Sequence, residues 1–365
     1  MHWTSNASGA TDRLPNKRTV VLGGGEAGLI AAAYLERTSE TDTVVVSERE
    51  RHVFSFLLYR VMEGMPFDGA TLDLRDAFAD RDVTVVRDHV QGLAATDKRV
   101  DLRSGSIEYD TLLIALGGVT RLGAVDRSRV SDVRTDAREI QHAVRSDDVR
   151  DIVIVGGGPV GVETAATLGS LDVDIDVSLL TSGDRPLADF PERAGRMAER
   201  ELGRRDVDVR TETRATEATE NGVVLDGERV ERSDLTIWAG GVKPNPVIEG
   251  FDLLRNKRGL LVDASLRCRG VDDVYAVGDV VDYPGKVTDG YSAGLEARRA
   301  AKNALRELRG RRPKEYDERW HPRIVYLGRT TALFAADGIV HCGAGPAILR
   351  AIAARGYPFF WSYVY

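Results

Sequence analysis

From residue 19 onward the chain alternates short apolar runs, glycine turns and small-residue helical stretches. Thr19-Val20-Val21-Leu22 is short and runs straight into glycines, as a strand buried on both faces of a parallel sheet does. Leu29-Ile30-Ala31-Ala32-Ala33-Tyr34-Leu35 then presents a small-residue face at helical spacing, and Thr43-Val44-Val45-Val46 is a second strand. The same βαβ grammar recurs as Ile152-Val153-Ile154-Val155, glycines, a helix from Val162 to Leu168, and Val177-Ser178-Leu179-Leu180. This is one duplicated unit and not a solenoid repeat. Strand-like Val83–Val86 and Asp110–Ala115 lie between the copies, and Asp234–Ala239 and Val274–Asp279 follow the second.

The glycines between strand and helix carry candidate chemistry. Gly23-Gly24-Gly25-Glu26-Ala27-Gly28 fits G-x-G-x-x-G: Gly23 for the tight turn, Gly25 for backbone approach to a pyrophosphate, Gly28 for close packing of helix on strand. The helix that opens at Glu26 and Ala27 would face that anion with free N–H groups and its positive dipole end. Glu48, followed by Arg49, stands at the end of the second strand, where a carboxylate accepts hydrogen bonds from a ribose. Gly156-Gly157-Gly158-Pro159-Val160-Gly161 repeats the logic, but Thr181 and Ser182 stand where its acid belongs. Strict NADH preference is therefore not supported. Arg185 either pairs with a 2′-phosphate or is a solvated surface charge, so the reductant is NADH or NADPH. Glu163, in the first turn of the second helix, either complements the helix dipole or serves as a carboxylate at the reacting ring. The predicted fold is α/β: two Rossmann-like dinucleotide-binding domains, the second inserted in the first, plus a small C-terminal segment. Residues 19–119 and 240–310 would form the first, FAD-binding domain and 120–239 the NAD(P)H-binding domain. Residues 311–365 would be a β-rich and aromatic segment, reached through a charged linker from Arg306 to Arg319.

Composition narrows the classes. A chain of 365 residues suits two or three domains. A net charge of −7 argues against a nucleic-acid partner. Residues 1–18 are polar and lack the apolar core of a secretion signal, so they read as a flexible tail. Two distant cysteines exclude a disulfide framework and make the cytoplasm the default compartment. The six histidines show no ligand spacing, and no metal site is predicted.

Several segments together resemble type II NADH dehydrogenases: the first glycine motif with Glu48, Arg51 to Val61, Tyr109-Asp110 with Ala115-Leu116-Gly117, Trp238 to Pro246, and Ala276-Val277-Gly278-Asp279. Gly290 to Ala297 is similar to the apoptosis-inducing-factor-like quinone reductases. The resemblance covers residues 19 to about 305. It implies a flavoprotein that takes a hydride from NAD(P)H and passes two electrons to a quinone without pumping protons. By it, Gly278 and Asp279 would bind the FAD ribityl–pyrophosphate region, and Tyr291 would sit beside the isoalloxazine. Leu57 and Leu58, with Ala115 and Gly117, would also contact the cofactor. Val90 would meet its adenine end, Glu163 would lie near the nicotinamide, and Gly240 would border the second site. Four positions depart from the family: Phe56 stands for a proline, Leu116 for a threonine, and Gly290-Tyr291 for Ala-Gln, the last pair on the flavin and quinone side.

Related flavoproteins relay electrons through thiols beside the flavin. This chain has no cysteine before Cys268, so its electrons would leave the flavin directly, to a quinone or another acceptor. Ala347 to Arg355 reads as a short amphipathic helix stopped by Gly356, and the aromatic run Tyr357 to Tyr365 follows. Such a segment suits the headgroup layer of a membrane, placing the protein peripherally on the inner face of the cell membrane. A homodimer interface or a flap over the flavin are the alternatives. The competing functions are a soluble NAD(P)H-dependent reductase of a small electron-transfer protein and a flavin-bearing redox sensor with little turnover.

Overall fold

The structure, a computed structural model, describes residues 17–38, 40–317 and 321–364, the last ten of these by backbone alone. Five parallel strands form the first sheet, in the order Val274–Ala276, Thr111–Ile114, Lys17–Leu22, Thr41–Ser47, Val83–Arg87. Val20, Val21 and Leu22 are fully buried in its centre, which is why that strand reads as an unbroken apolar run. Four parallel strands form the second sheet: Asp208–Arg210, Asp176–Leu180, Asp151–Val155, Leu235–Trp238. The chain leaves the first sheet after Ile114 and returns to it only at Val274, so the second sheet is inserted in the first. The two passages pair with each other as an antiparallel ribbon, Gly118–Thr120 on Val242–Pro244.

The helix Glu26–Leu35 packs against the long helix Gly290–Leu308 over their alanine faces. Beyond it, Arg323–Tyr326, Ala332–Ala336 and Ile339–Gly343 form an antiparallel meander. The meander lies on the helices Pro159–Leu168 and Glu192–Gly203.

Three boundaries differ from the expectation. Lys17 and Arg18 belong to the first strand and not to the tail: their side chains stay exposed in ion pairs with Asp110 and Asp42 while their backbone pairs with Thr41 and Asp42. The remaining tail, residues 1–16, lies outside the described residues. Arg306, Glu307 and Leu308 are the last turn of the long helix and not linker. Gly356 does not end the terminal helix, which runs Ala344–Val364. A glycine stops a helix where the chain turns left-handed; elsewhere it costs only about 1 kcal/mol.

Candidate functional site

The two glycine turns have the same geometry. Gly23 has φ +114° and Gly156 φ +123°, left-handed backbone that a side chain would strain. A Cβ on Gly28 would lie 1.8 Å from the carbonyl oxygen of Gly23, and one on Gly161 1.8 Å from that of Gly156. Around the middle glycines, Gly25 and Gly158, nothing lies within 4 Å of an added Cβ. Each turn is thus closed on the strand side and open where the helix N-terminus points, a space that fits a pyrophosphate. Pro159 fills the first helical position of the second copy, where its missing N–H costs nothing.

The first turn has the fuller surround. Glu48 is half exposed and meets His89 Nδ1 at 3.0 Å and Arg49 Nε at 4.0 Å. Leu57, Leu58, Val90 and Ala115 are buried, and the Ala115 carbonyl lies against Gly23. The Glu26 carboxylate abuts Gly290, where an added Cβ would lie 2.7 Å from it. Asn245 Nδ2 donates to Leu116 O at 3.3 Å and its backbone to Gly117 O at 3.1 Å, holding that turn toward Asp279. Gly278, with φ +78°, donates its N–H to Glu296 Oε2 at 2.7 Å. Glu296 is fully buried and also accepts from Tyr283 Oη at 2.6 Å and Lys286 Nζ at 2.7 Å. Burial and that carboxylate push the Tyr283 hydroxyl far above its usual range. Tyr291, at the start of the long helix, is 47% exposed. The sequence alone assigned Glu296 no role. The signal was present: it shares a helical face with Ala293, Ala297 and Ala300, where a carboxylate must be buried.

Glu163 does more than complement a helix dipole. Its Oε1 accepts from Tyr326 N at 2.9 Å and pairs with Arg350 Nη1 at 2.8 Å, so meander and terminal helix both close on it. Arg350 is nearly buried, lies 4.9 Å over the Tyr59 ring and 5.6 Å over Tyr326, and also donates to Ile324 O at 3.0 Å. Tyr326 Oη in turn donates to Glu63 Oε1. Neither Arg350 nor Tyr326 was foreseen, because both lie far along the chain in a region without a motif. At the second turn Val160 is exposed, Thr181 is buried, and Gly240 packs on the Trp238 indole, whose Nε1 donates to Arg121 O at 2.9 Å.

His52 is buried behind the first turn, edge-on to Phe54 at 4.7 Å, with Nε2 unpartnered. Burial lowers its pKa from 6.5 to about 4, against a hydrogen bond to the Gly24 backbone that raises it. Between those two values the unfolded chain binds a proton that the folded chain does not. Stability from this group is complete above pH 6.5 and drains away as pH falls toward 4, by about 3 kcal/mol in all. Urea unfolding of wild type and His52→Gln across this range should show the variant losing less stability on acidification; parallel curves would refute it.

Cys268 is buried, with its thiol pushed up to about 12 by burial, and Cys342 is likewise free. A thiol that reluctant to ionise is a poor nucleophile.

A family model described as pyridine nucleotide-disulphide oxidoreductase matches residues 17–303. The chain belongs to that family. It is an oxidoreductase, and FAD and NAD(P)H are its cofactors. Demethylphylloquinone reductase NdbB of Synechocystis sp. is 32% identical over 296 residues, spanning 74% of this chain and 72% of that protein. The type II NADH:quinone oxidoreductase of Haemophilus influenzae is 25% identical, spanning 87% and 86%. Among solved structures, NDH2 from Plasmodium falciparum in complex with NADH superposes with a TM-score of 0.83 over 95% of this chain and 97% of that one, at 15% identity. The sulfide:quinone oxidoreductase of Aquifex aeolicus gives 0.83 over 95% and 91%, at 18%. These two share the fold. This family member departs from the disulphide of the family's name, since its only cysteines are Cys268 and Cys342.

Proposed function

We propose that this chain oxidises NAD(P)H at the second glycine turn, holds FAD at the first, and delivers two electrons to a quinone at a membrane surface. The observation that carries the reading is the pair of matching turns in a chain whose relatives are named as quinone reductases. FAD supplies the chemistry when bound, accepting a hydride and releasing its electrons to the acceptor. The protein's part is position and charge. Glu48 takes the ribose of FAD, Gly278 and Asp279 face its ribityl and pyrophosphate region, and Tyr291 borders the ring. Glu163, held still by Arg350 and the Tyr326 N–H, keeps a fixed carboxylate beside the nicotinamide and excludes water from that side. With no thiol before Cys268, nothing in the chain intercepts the electrons on their way to the acceptor.

The membrane part rests on the terminal helix. Ala347 and Ala354 face the body with Arg350, while Ile348, Leu349 and Ile352 are 60%, 51% and 63% exposed. That ridge continues into a stretch rich in Tyr, Phe and Trp, residues favoured at the headgroup layer. Among the described residues no helix is long and apolar enough to cross a membrane, so the attachment is to one face. The full-length protein should float with anionic vesicles and oxidise NAD(P)H against a quinone dissolved in them. Replacing Ile348, Leu349 and Ile352 by Ser should lower flotation and vesicle-quinone turnover together while sparing a water-soluble quinone. Equal flotation of variant and wild type would remove the terminal ridge from the reading.

A further inference from the structure

The two glycine turns are alike enough to be read against each other at the ribose end. In the first, a Cβ on Gly24 would lie 2.7 Å from Ser47 Oγ; in the second, a Cβ on Gly157 would lie 2.5 Å from Thr181 Oγ1. Ser47 and Thr181 are both 7% exposed, so they occupy equivalent places. The counterpart of Glu48 is therefore Ser182, which is exposed and carries no charge. Loss of the acid from that position leaves a 2′-phosphate admissible in principle, and Arg185 is the cation close by to receive it.

Arg185, however, is already engaged. Its Nη1 meets the Asp184 carboxylate at 2.9 and 3.2 Å, and its Nη2 donates to Ala188 O at 2.9 Å and Phe190 O at 3.4 Å. Its stem lies against the helix Glu192–Gly203, where a Cβ on Gly195 would come within 2.8 Å of Cδ. The side chain is 23% exposed, whereas that of Asp184 is 70% exposed. The same loop brings a second carboxylate: Glu212, exposed, donates its backbone N–H to Gly183 O at 2.8 Å. What this loop turns outward is thus negative, and its guanidinium is folded inward.

We propose that this chain selects NADH over NADPH, with Asp184 excluding the 2′-phosphate and Arg185 acting as the strut that holds the loop. The inference rests on the second turn being the NAD(P)H site. A dianionic phosphate beside the exposed carboxylates of Asp184 and Glu212 is repelled, because Arg185, although paired with Asp184, is folded inward behind it, whereas the 2′-hydroxyl of NADH can donate to Asp184 or Ser182.

Calorimetric titration of the FAD-loaded protein with ADP-ribose and with its 2′-phosphorylated form reads the effect without turnover. Wild type should bind the phosphorylated ligand roughly tenfold or more weakly. Asp184→Asn should close most of that gap, chiefly by tightening the phosphorylated ligand. Arg185→Ala should not weaken the phosphorylated ligand selectively, and kcat/KM for NADH and NADPH should follow the same order. Equal binding of the two ligands by wild type overturns the inference. So does a selective loss of the phosphorylated ligand in Arg185→Ala, which would mean that Arg185 swings out to grip the phosphate. Binding of neither ligand would instead sink the assignment of the second turn itself.

Discussion

Gly28→Ala is expected to purify without flavin, while Gly161→Ala keeps its flavin and loses its response to NAD(P)H. Both substitutions place a Cβ 1.8 Å from a backbone carbonyl oxygen, that of Gly23 in one case and Gly156 in the other. Neither side can yield locally. Each glycine lies in the first turn of its helix, and each carbonyl belongs to the turn that leads out of a fully hydrogen-bonded central strand. Relief requires the helix to lift from the sheet, which carries its N-terminal N–H groups away from the pyrophosphate. Overpacking of this kind costs about 1–3 kcal/mol or more, enough to cut flavin occupancy of Gly28→Ala to roughly a tenth or below. In Gly161→Ala the 450 nm absorbance should be as in wild type, and anaerobic reduction at low nucleotide should slow by roughly tenfold or more. Flavin content and thermal unfolding of the two variants are the readouts. The reverse pattern, flavin lost at Gly161 and kept at Gly28, would exchange the two cofactor assignments.

Glu296→Leu is the second large effect. Glu296 is fully buried and gathers three donors: the Gly278 N–H, the Tyr283 hydroxyl and the Lys286 ammonium. Lys286 is itself only 9% exposed and lies 5.8 Å from the Tyr283 ring centre. Removing the carboxylate strands a buried cation and frees the left-handed Gly278 turn that leads into Asp279. Loss of one member of a buried pair costs roughly 3–5 kcal/mol, a fall in Tm on the order of 10 °C. On the proposed role of Gly278 and Asp279 toward FAD, flavin should also become releasable by dilution. Glu296→Gln keeps an acceptor for the Gly278 N–H and turns its NH2 toward Tyr283 Oη, which can accept from it, while losing the charge opposite Lys286. It should retain flavin better than Glu296→Leu yet still lose stability. A Leu variant as stable and as yellow as wild type would show that this buried pair is dispensable.

The duplicated βαβ unit was legible because its signals are local. Apolar runs of four, glycines at fixed offsets and alanine-faced helices each report on a few neighbouring residues, and they placed both sheets and both turns. What stayed hidden depends on chain returning from afar. Arg350 reaches Glu163, and Tyr326 joins them, only because the meander and terminal helix fold back across the second unit. No pattern near Glu163 announces that. The posture of Arg185 is equally illegible, since sequence shows a cation but not the two carbonyls that hold it. Gly356 misled because a glycine stops a helix through its φ, which the letter alone does not disclose.

The central claim is that one chain carries electrons from a nicotinamide to a quinone through a single flavin, without a thiol relay. An anaerobic titration of the purified holoprotein tests it most directly. One equivalent of NADH per flavin should bleach the 450 nm band fully, and one equivalent of a soluble quinone should then restore it. The double variant Cys268→Ser, Cys342→Ser should trace the same two curves. A flavin that needs a second equivalent of NADH, or that quinone fails to reoxidise, would contradict the account.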